Sequence, residues 1–279
     1  MQLLIDRTTN RNLIWASGER PAAEITVADL PFIKRRIDKT ADEQKQRTAN
    51  SAEVFTPSWC CCMQNNLVDN AYFGREGVFC TETERGWITN PNPVPFPTAD
   101  GKEWFEYVTA PRLEITCGEA PYLANPYDTV TGEKIPVQDR IGILDRKLRV
   151  VYENCPKNEH FWHWAMKAVE STYGFDWQGD NVYLARKNLL ETCIDWYRYK
   201  NRRKPNGIWI NHIANILTYN IWQMDGIKFV IPNSCTPECP ACQRKPKKGA
   251  VHNGTFAKIR NWETGEFIEF RSLLKKENE

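Results

Sequence analysis

Apolar side chains recur at a helical period in several stretches of the chain, and polar segments separate these stretches. Met63, Leu67 and Ala71, for example, stand four residues apart and would share one face of a helix. Helix-like patterns of this kind predict helices over 28–46, 59–73, 140–151, 161–171 and 182–199. Asp180 and Asn181 precede the last of these helices, and we expect them to cap it.

Short apolar runs that end near an acidic residue alternate with these helices. They end at Glu114, at Asp176 and, after a longer apolar stretch, shortly before Asp225. Strands that alternate with helices predict an α/β fold with a doubly wound sheet. A terminal β-hairpin is predicted from two strand-like runs, 258–262 and 266–270, which flank a Thr-Gly turn signal.

Composition places the chain in a broad class. Its 279 residues can form one sizeable core with a small additional module. The net charge of +2 excludes a strong overall basic field, and the basic runs at 198–204 and 244–248 are each typical of a solvated surface. Four prolines within 86–101 predict a loop. The adjacent cysteines at 60–62 and the absence of a signal-peptide pattern favour a reduced, cytoplasmic protein, and no apolar run approaches membrane-spanning length.

Residues 112–123 read Arg-Leu-Glu-Ile-Thr-Cys-Gly-Glu-Ala-Pro-Tyr-Leu and carry the clearest chemical signal. A strand that ends on a carboxylate and turns through glycine lets the backbone come close to a ligand. The stretch resembles the S-adenosylmethionine-binding loop of DNA amino-methyltransferases, in which an acidic residue is followed by Pro-Ala-Cys-Gly-Ser-Gly. The positions that match are Glu114, Thr116, Cys117, Gly118, Tyr122 and Leu123, whereas Glu119 and Ala120 replace the serine and the second glycine.

Three further segments follow the order and spacing of the gamma-type members of this family, which are modification subunits of restriction-modification systems. The resemblance covers about residues 52–230 and implies a Rossmann-like sheet that binds S-adenosylmethionine. It implies that a Phe-Thr-Pro segment covers the methionine end of the cofactor, that Asp176 accepts hydrogen bonds from the ribose, and that Asp225 accepts one from the adenine amino group. The cofactor-binding residues implied in this way are Phe55, Thr56, Pro57, Glu114, Thr116, Cys117, Gly118, Glu119, Asp176, Trp177, Asp225 and Gly226.

The family's catalytic element is a strand followed by Asn-Pro-Pro-Tyr, which binds the extruded base. This sequence contains no Pro-Pro dipeptide. Asn233, which follows an apolar run, and Asn125 of an Asn-Pro-Tyr segment are the candidate catalytic residues. The resemblance therefore predicts the cofactor-binding subunit of a DNA adenine-N6 methyltransferase, with the N4 amino group of cytosine as the alternative target. Such a subunit would act on double-stranded DNA together with a second chain that carries Asn-Pro-Pro-Tyr.

A cysteine-rich segment follows the region of resemblance. Cys235, Cys239 and Cys242 are followed by His252, and three thiolates with one imidazole at such spacing suit a tetrahedral zinc ion. Prolines between the cysteines place the sulfur atoms on tight turns. The alternative is that these are unrelated cysteines in a proline-rich turn. We predict a structural zinc site.

Together these features predict three regions. An N-terminal helical arm with a cofactor lid spans 1–105, the S-adenosylmethionine-binding core spans 106–231, and a zinc module with the hairpin spans 232–279. Two other functions stay open: a catalytically inactive regulator that binds the cofactor, and a zinc-stabilised adaptor for nucleic acid or protein. The methyltransferase and the regulator require cofactor binding, whereas the adaptor does not.

Overall fold

The computed structural model describes residues 2–18, 21–51, 53–54, 56–96 and 103–275. Helices and strands are numbered in chain order within these ranges. The α-helices are α1 (Ala41–Ser51), α2 (Ser58–Phe73), α3 (Trp104–Thr109), α4 (Ile143–Asn154), α5 (Asn158–Glu170), α6 (Gly179–Asn201) and α7 (Gly207–Asn220). The strands are β1 (Ile5–Asp6), β2 (Arg11–Asn12), β3 (Cys80–Thr83), β4 (Gly86–Thr89), β5 (Arg112–Glu114), β6 (Thr172–Asp176), β7 (Ile221–Gln223), β8 (Lys258–Arg260) and β9 (Phe267–Glu269).

A three-stranded parallel sheet, in the order β5-β6-β7, positions the site described below. Arg112 pairs with Thr172, and Gly174 pairs with Ile221. Parallel neighbours require a crossover connection, which α4 and α5 provide between β5 and β6, and α6 and α7 between β6 and β7. The carboxyl ends of the three strands therefore lie at one edge of the sheet, called the carboxyl edge here.

Different elements cover the two faces of this sheet. Side chains alternate between the faces along a strand. Ile221 belongs to the main core together with the helices, whereas its neighbour Trp222 packs with Phe175, Ala257 and Phe270. The sheet consequently lies between a helical layer and the segment that contains the β8–β9 hairpin.

The helical layer consists of α4, α5, α6 and α7, which pack against one another. The indole rings of Trp196 and Trp209 are buried in it. Lys147 of α4 is also buried, and its ammonium group donates to the carbonyl oxygens of Ala110 at 2.7 Å and Ser171 at 3.1 Å. These carbonyls lie just before β5 and β6, so Lys147 fixes the starts of the two strands beside each other.

The N-terminal segment packs into the same core. Leu13 and Ile25 are buried with the helices. The buried guanidinium group of Arg186 donates to the carbonyl of Ile5 at 2.8 Å and to that of Ile221 at 2.8 Å. Arg186 and the N-terminal segment therefore occupy the outer edge of β7.

Most of the predicted helices are confirmed, and one prediction is wrong. The patterns at 59–73, 140–151, 161–171 and 182–199 correspond to α2, α4, α5 and α6. The single helix predicted over 28–46 is instead two 3₁₀ segments within 27–38 followed by α1. Pro31 lacks an amide donor and cannot continue an α-helix, and Thr40 begins a new one by accepting the Glu43 amide at 3.2 Å.

Two local predictions also need correction. The loop expected over 86–101 begins with a strand, because Gly86–Thr89 pairs antiparallel with β3 across a tight turn. The cap expected at Asp180 and Asn181 is wrong, since the cap position of α6 is Gln178 and the two polar residues lie in the first helical turn. Polar side chains at this helix start serve a different purpose, described below.

The terminal hairpin is confirmed by the antiparallel pairing of β8 with β9, and Gly265 adopts the left-handed conformation that its turn requires, with φ of 76°. The chain is thus of mixed α/β class, and the largest sheet in the described ranges has three strands. A larger, Rossmann-like sheet and the division into three regions stay predictions. Within the same ranges, none of the helices combines the length and apolar character needed to cross a bilayer.

Candidate cofactor edge and metal centre

The turn that follows β5 folds over the end of β6. Thr116, Gly118 and Ala120 have positive φ angles of 49°, 53° and 64°, so the backbone reverses sharply. The Cys117 amide donates to the carbonyl of Phe175 at 2.8 Å, and the Gly118 amide donates to Oδ2 of Asp176 at 2.9 Å. The glycine turn after one strand is therefore bonded directly to the acid at the end of the next strand.

Asp176 is the centre of this edge. Its Oδ1 accepts the amide of Gln178 at 2.7 Å and the side-chain amide of Asn181 at 3.4 Å. The residue is 7% exposed, and burial raises the pKa of its carboxyl group to about 6. Oε1 of Gln178 and Oδ1 of Asp180 are also buried, and neither has a hydrogen-bond partner within the described residues. Unsatisfied acceptors therefore lie within the first turn after Asp176.

The Glu114 side chain, at the end of β5, is bonded to the backbone of the turn that follows this strand. It is buried, and its carboxylate accepts the backbone amides of Leu123 at 3.3 Å and Tyr122 at 3.5 Å. Burial raises the pKa of Glu114 well above its ordinary value. The side chain thus holds the far end of the glycine turn against the strand.

Asp225 and Gly226 follow β7 at the same edge, where the Met224 amide donates to the carbonyl of Asp176 at 3.0 Å. Oδ1 of Asp225 accepts two backbone amides of its own turn, and Lys228 lies 3.7 Å from its Oδ2. A side chain at Gly226 would approach the Phe175 ring to 3.1 Å, so a small residue suits this position. The predicted adenine-binding acid therefore lies next to the predicted ribose-binding acid along the sheet.

The remaining residues of the glycine turn differ in their exposure. Thr116 is exposed, whereas Cys117 is buried in the main core. Glu119 is buried as well, and its carboxylate accepts the Arg36 amide at 2.6 Å and the hydroxyl of Tyr127. Glu119 thus ties the turn to the N-terminal segment, while its assignment to the cofactor stays a prediction.

The lid segment and Trp177 were also predicted to contact the cofactor. Phe55 lies outside the described residues. The Thr56 carbonyl accepts the Thr129 hydroxyl at 3.1 Å, and Pro57 directly precedes α2. Trp177 is half-buried beside Asp176, and its carbonyl accepts the side-chain amide of Gln223 at 2.9 Å.

The two candidate catalytic asparagines have opposite environments. The Asn125 side chain is fully buried, donating to Ser58 at 2.9 Å and accepting the amide of Ile141 at 3.2 Å, so both of its polar ends are bonded inside the chain. Asn233 is exposed, with a φ of 58° and a hydrogen bond to the Ala16 carbonyl at 3.0 Å.

The predicted metal ligands converge. The sulfur atoms of Cys235, Cys239 and Cys242 lie 3.8, 3.6 and 3.4 Å from Nδ1 of His252, and all four ligand atoms are within 4.8 Å of one another. Burial raises the pKa of the Cys239 thiol, but hydrogen bonds from the Asn253 amide and from its cluster neighbours lower it to about 6. A thiolate is the form that binds metal, so this donor set can hold a structural zinc ion.

Sequence reasoning missed the polar residues that support the edge. Gln178, Asp180 and Asn181 surround Asp176, yet the sequence suggested only a helix cap. Arg47 pairs with Oδ2 of Asp180 at 2.9 Å across a long sequence separation, which no local pattern could indicate. The available signal was the concentration of polar residues, Gln178, Asp180 and Asn181, shortly after the acid that ends β6.

Comparisons with known proteins give no assignment. No protein-family model matches the chain, and neither a curated protein nor a solved structure shows significant similarity to it.

Proposed function

We propose that this chain binds S-adenosylmethionine at the carboxyl edge and is the cofactor-binding subunit of a DNA adenine-N6 methyltransferase of a restriction-modification system. The hydrogen bond between the Gly118 amide and Asp176 carries this proposal. It joins a glycine turn to an acid at the ends of adjacent parallel strands, where nucleotide ligands bind in open α/β sheets.

The residues at this edge fit a nucleoside cofactor. Asp176 and Asp225 would accept hydrogen bonds from the ribose and the adenine amino group. The unsatisfied oxygens of Gln178 and Asp180 are further acceptors, and a nucleoside offers the hydroxyl and amino donors that they lack. When bound, the cofactor supplies an electrophilic methyl group on sulfur to the amino group of the base. The role of this chain is to orient the cofactor and to exclude water around it.

The open edge of the sheet supports the proposal that a second chain takes part. The Arg112 amide donates to the Ser171 carbonyl at 2.9 Å on the β6 side. Alternation along a parallel strand turns the amide and carbonyl of Leu113 to the opposite side, where no strand of the described residues pairs with β5. Leu113 is 43% exposed. A strand of the partner, carrying Asn-Pro-Pro-Tyr, would extend the sheet here.

Titration calorimetry with S-adenosylmethionine tests cofactor binding. We expect Asp176→Ala and Asp225→Ala each to weaken binding by about 1–3 kcal/mol, because each removes hydrogen bonds to the ligand. Asp195→Ala is the matched control: this acid is paired with Arg140 and Arg198 and lies on α6, well after its first turn. Unchanged affinity in both edge variants would refute the assignment of the edge.

A methyl-transfer assay separates the enzyme from the inactive regulator. We expect no transfer to mixed-sequence DNA by this chain alone, and transfer once a partner with Asn-Pro-Pro-Tyr is added. Binding without transfer in the presence of such a partner favours the regulator. Sequence-specific transfer by this chain alone would contradict the two-chain proposal and point to Asn233, the exposed candidate asparagine.

A further inference from the structure

A short basic loop projects from the metal centre. Residues 243–250 connect Cys242 to the region of His252, and four of them are exposed cations. These cations are Arg244, Lys245, Lys247 and Lys248. Within the ranges that the structure describes, none of the four makes an ion pair or a side-chain hydrogen bond. The loop therefore presents four uncompensated positive charges on a chain whose net charge is only +2.

The other basic run behaves differently, which shows that clustered cations need not be available to a partner. In 198–204, Lys200 donates to the Cys155 carbonyl at 2.6 Å and lies over the Tyr152 ring. Arg198 lies 3.6 Å from Asp195 in the same helix. The chain's own acceptors and rings thus engage part of that run, whereas the four cations of the loop at 243–250 make no such contact with any described residue.

The metal ligands hold this loop at both of its ends. Cys242 lies 3.4 Å from Nδ1 of His252, so the chain returns to the cluster after the basic run. Within the loop, the Ala250 amide donates to the Lys247 carbonyl at 3.0 Å, and Gly249 has a φ of 81°. A loop closed by a metal ion loses less conformational entropy on binding than a free tail of the same charge.

The cysteine at which the loop begins, Cys242, lines a cleft that reaches the carboxyl edge. A cleft of about 310 Å³ is lined by Asp225 and Asn233 on one side and by Cys235 and Cys242 of the metal centre on the other. The start of the loop therefore lies at the same cleft as the acid that follows β7.

We propose that the metal-held basic loop, residues 243–250, binds the phosphate backbone of double-stranded DNA. The choice of DNA as the polyanion rests on the proposed function. The charge and geometry of the loop are observed independently of that function. Lysine and arginine contacts to phosphate release counterions, so this binding is independent of sequence and weakens steeply with salt.

Fluorescence anisotropy with a labelled duplex of about 30 base pairs, measured over a series of salt concentrations, tests this surface. The variant replaces the four cations of the loop with glutamine in the full chain. If each contacts one phosphate, the slope of log K against log salt should fall by about 3.6, and affinity near 0.1 M salt should fall more than tenfold. The matched control removes four scattered exposed cations: Lys45, Arg85, Lys134 and Arg203.

Chelation provides a second test that leaves the charges in place. Removing the metal from the wild-type chain should also weaken DNA binding, and added zinc should restore it. An unchanged salt slope in the loop variant, or an equal loss in the scattered control, would overturn the proposal. The loop variant should retain its affinity for S-adenosylmethionine, so failure of the DNA measurement is distinguishable from failure of the cofactor assignment.

Discussion

Loss of the predicted zinc ion should loosen one defined segment and leave the helical core intact. The perturbation is Cys239→Ser, which replaces a thiolate ligand by a hydroxyl group, or removal of the ion by a chelator. Cys239 is the buried ligand of the cluster, so its replacement affects the site from within. Metal analysis of the wild-type protein should give about one zinc per chain.

The expected size of the effect follows from the loop that the metal closes. Cys235 and His252 are 17 positions apart, and a cross-link across a loop of about this length contributes about 3 kcal/mol in chain entropy. Few backbone bonds join the two ends of the segment: the Ile231 amide donates to the Thr255 carbonyl, and the Ala257 amide to that of Phe229. Without the metal, the open form of the segment should become about a hundredfold more populated.

Hydrogen exchange read by mass spectrometry measures this population. Exchange at the amides of Ile231 and Ala257 should accelerate by about two orders of magnitude, because opening governs exchange there. Amides of α6 should be unaffected, and Cys60→Ser, at a half-buried thiol outside the cluster, should change neither region. Less than a threefold acceleration on chelation, or a metal-free protein with the same protection, would refute the reasoning.

Three further predictions concern the core and the acid at the edge. Lys147→Met should lower the free energy of unfolding by about 2–4 kcal/mol in urea, because acceptors such as the Ser171 carbonyl lose their donor, whereas Lys187→Met on the surface should cost less than about 0.5 kcal/mol. Arg146→Met should lower the free energy of unfolding by about 3–5 kcal/mol, since the buried carboxylate of Asp69 loses its ion-pair partner. A loss below about 1 kcal/mol would contradict this prediction. The pKa of Asp176 is raised to about 6, so its protonated form stabilises the folded chain fully below pH 4, and this stabilisation is lost as pH rises through about 6. The free energy of unfolding of the wild type in urea should therefore fall by about 3 kcal/mol from pH 4 to 7, and Asp176→Asn should remove this fall. Parallel pH profiles of the wild type and the variant would contradict the prediction.

Local patterns predicted the elements whose signals are local. The helix containing Met63 and Leu67 was recognised from the period of its apolar positions, and the hairpin around Gly265 from its turn residues. The convergence of Cys235, Cys239, Cys242 and His252 was predicted because the three cysteines are close in sequence. The helix predicted over 28–46 failed because several helix formers there outweighed Pro31, which in the folded chain lies inside a short 3₁₀ segment that ends at Phe32.

Contacts between distant parts of the chain could not be predicted in this way. The bond between Gly118 and Asp176 depends on the pairing of β5 with β6, which the sequence indicates only as two separate strand-like runs. Lys147 illustrates the same limit: a lysine in an amphipathic pattern is expected at the surface, yet the carbonyls before two strands bring it into the core. Pairing across the sheet, rather than local preference, determines both positions.

A crystal structure, from crystals soaked with S-adenosylmethionine or grown in its presence, tests most directly whether the carboxyl edge binds this cofactor. We expect the ligand at the carboxyl edge, with its ribose hydroxyls on Asp176, its adenine amino group on Asp225 and its methionine portion near Gly118. A ligand bound elsewhere would contradict this expectation. So would a carboxyl edge without bound ligand at a cofactor concentration far above the dissociation constant measured by calorimetry.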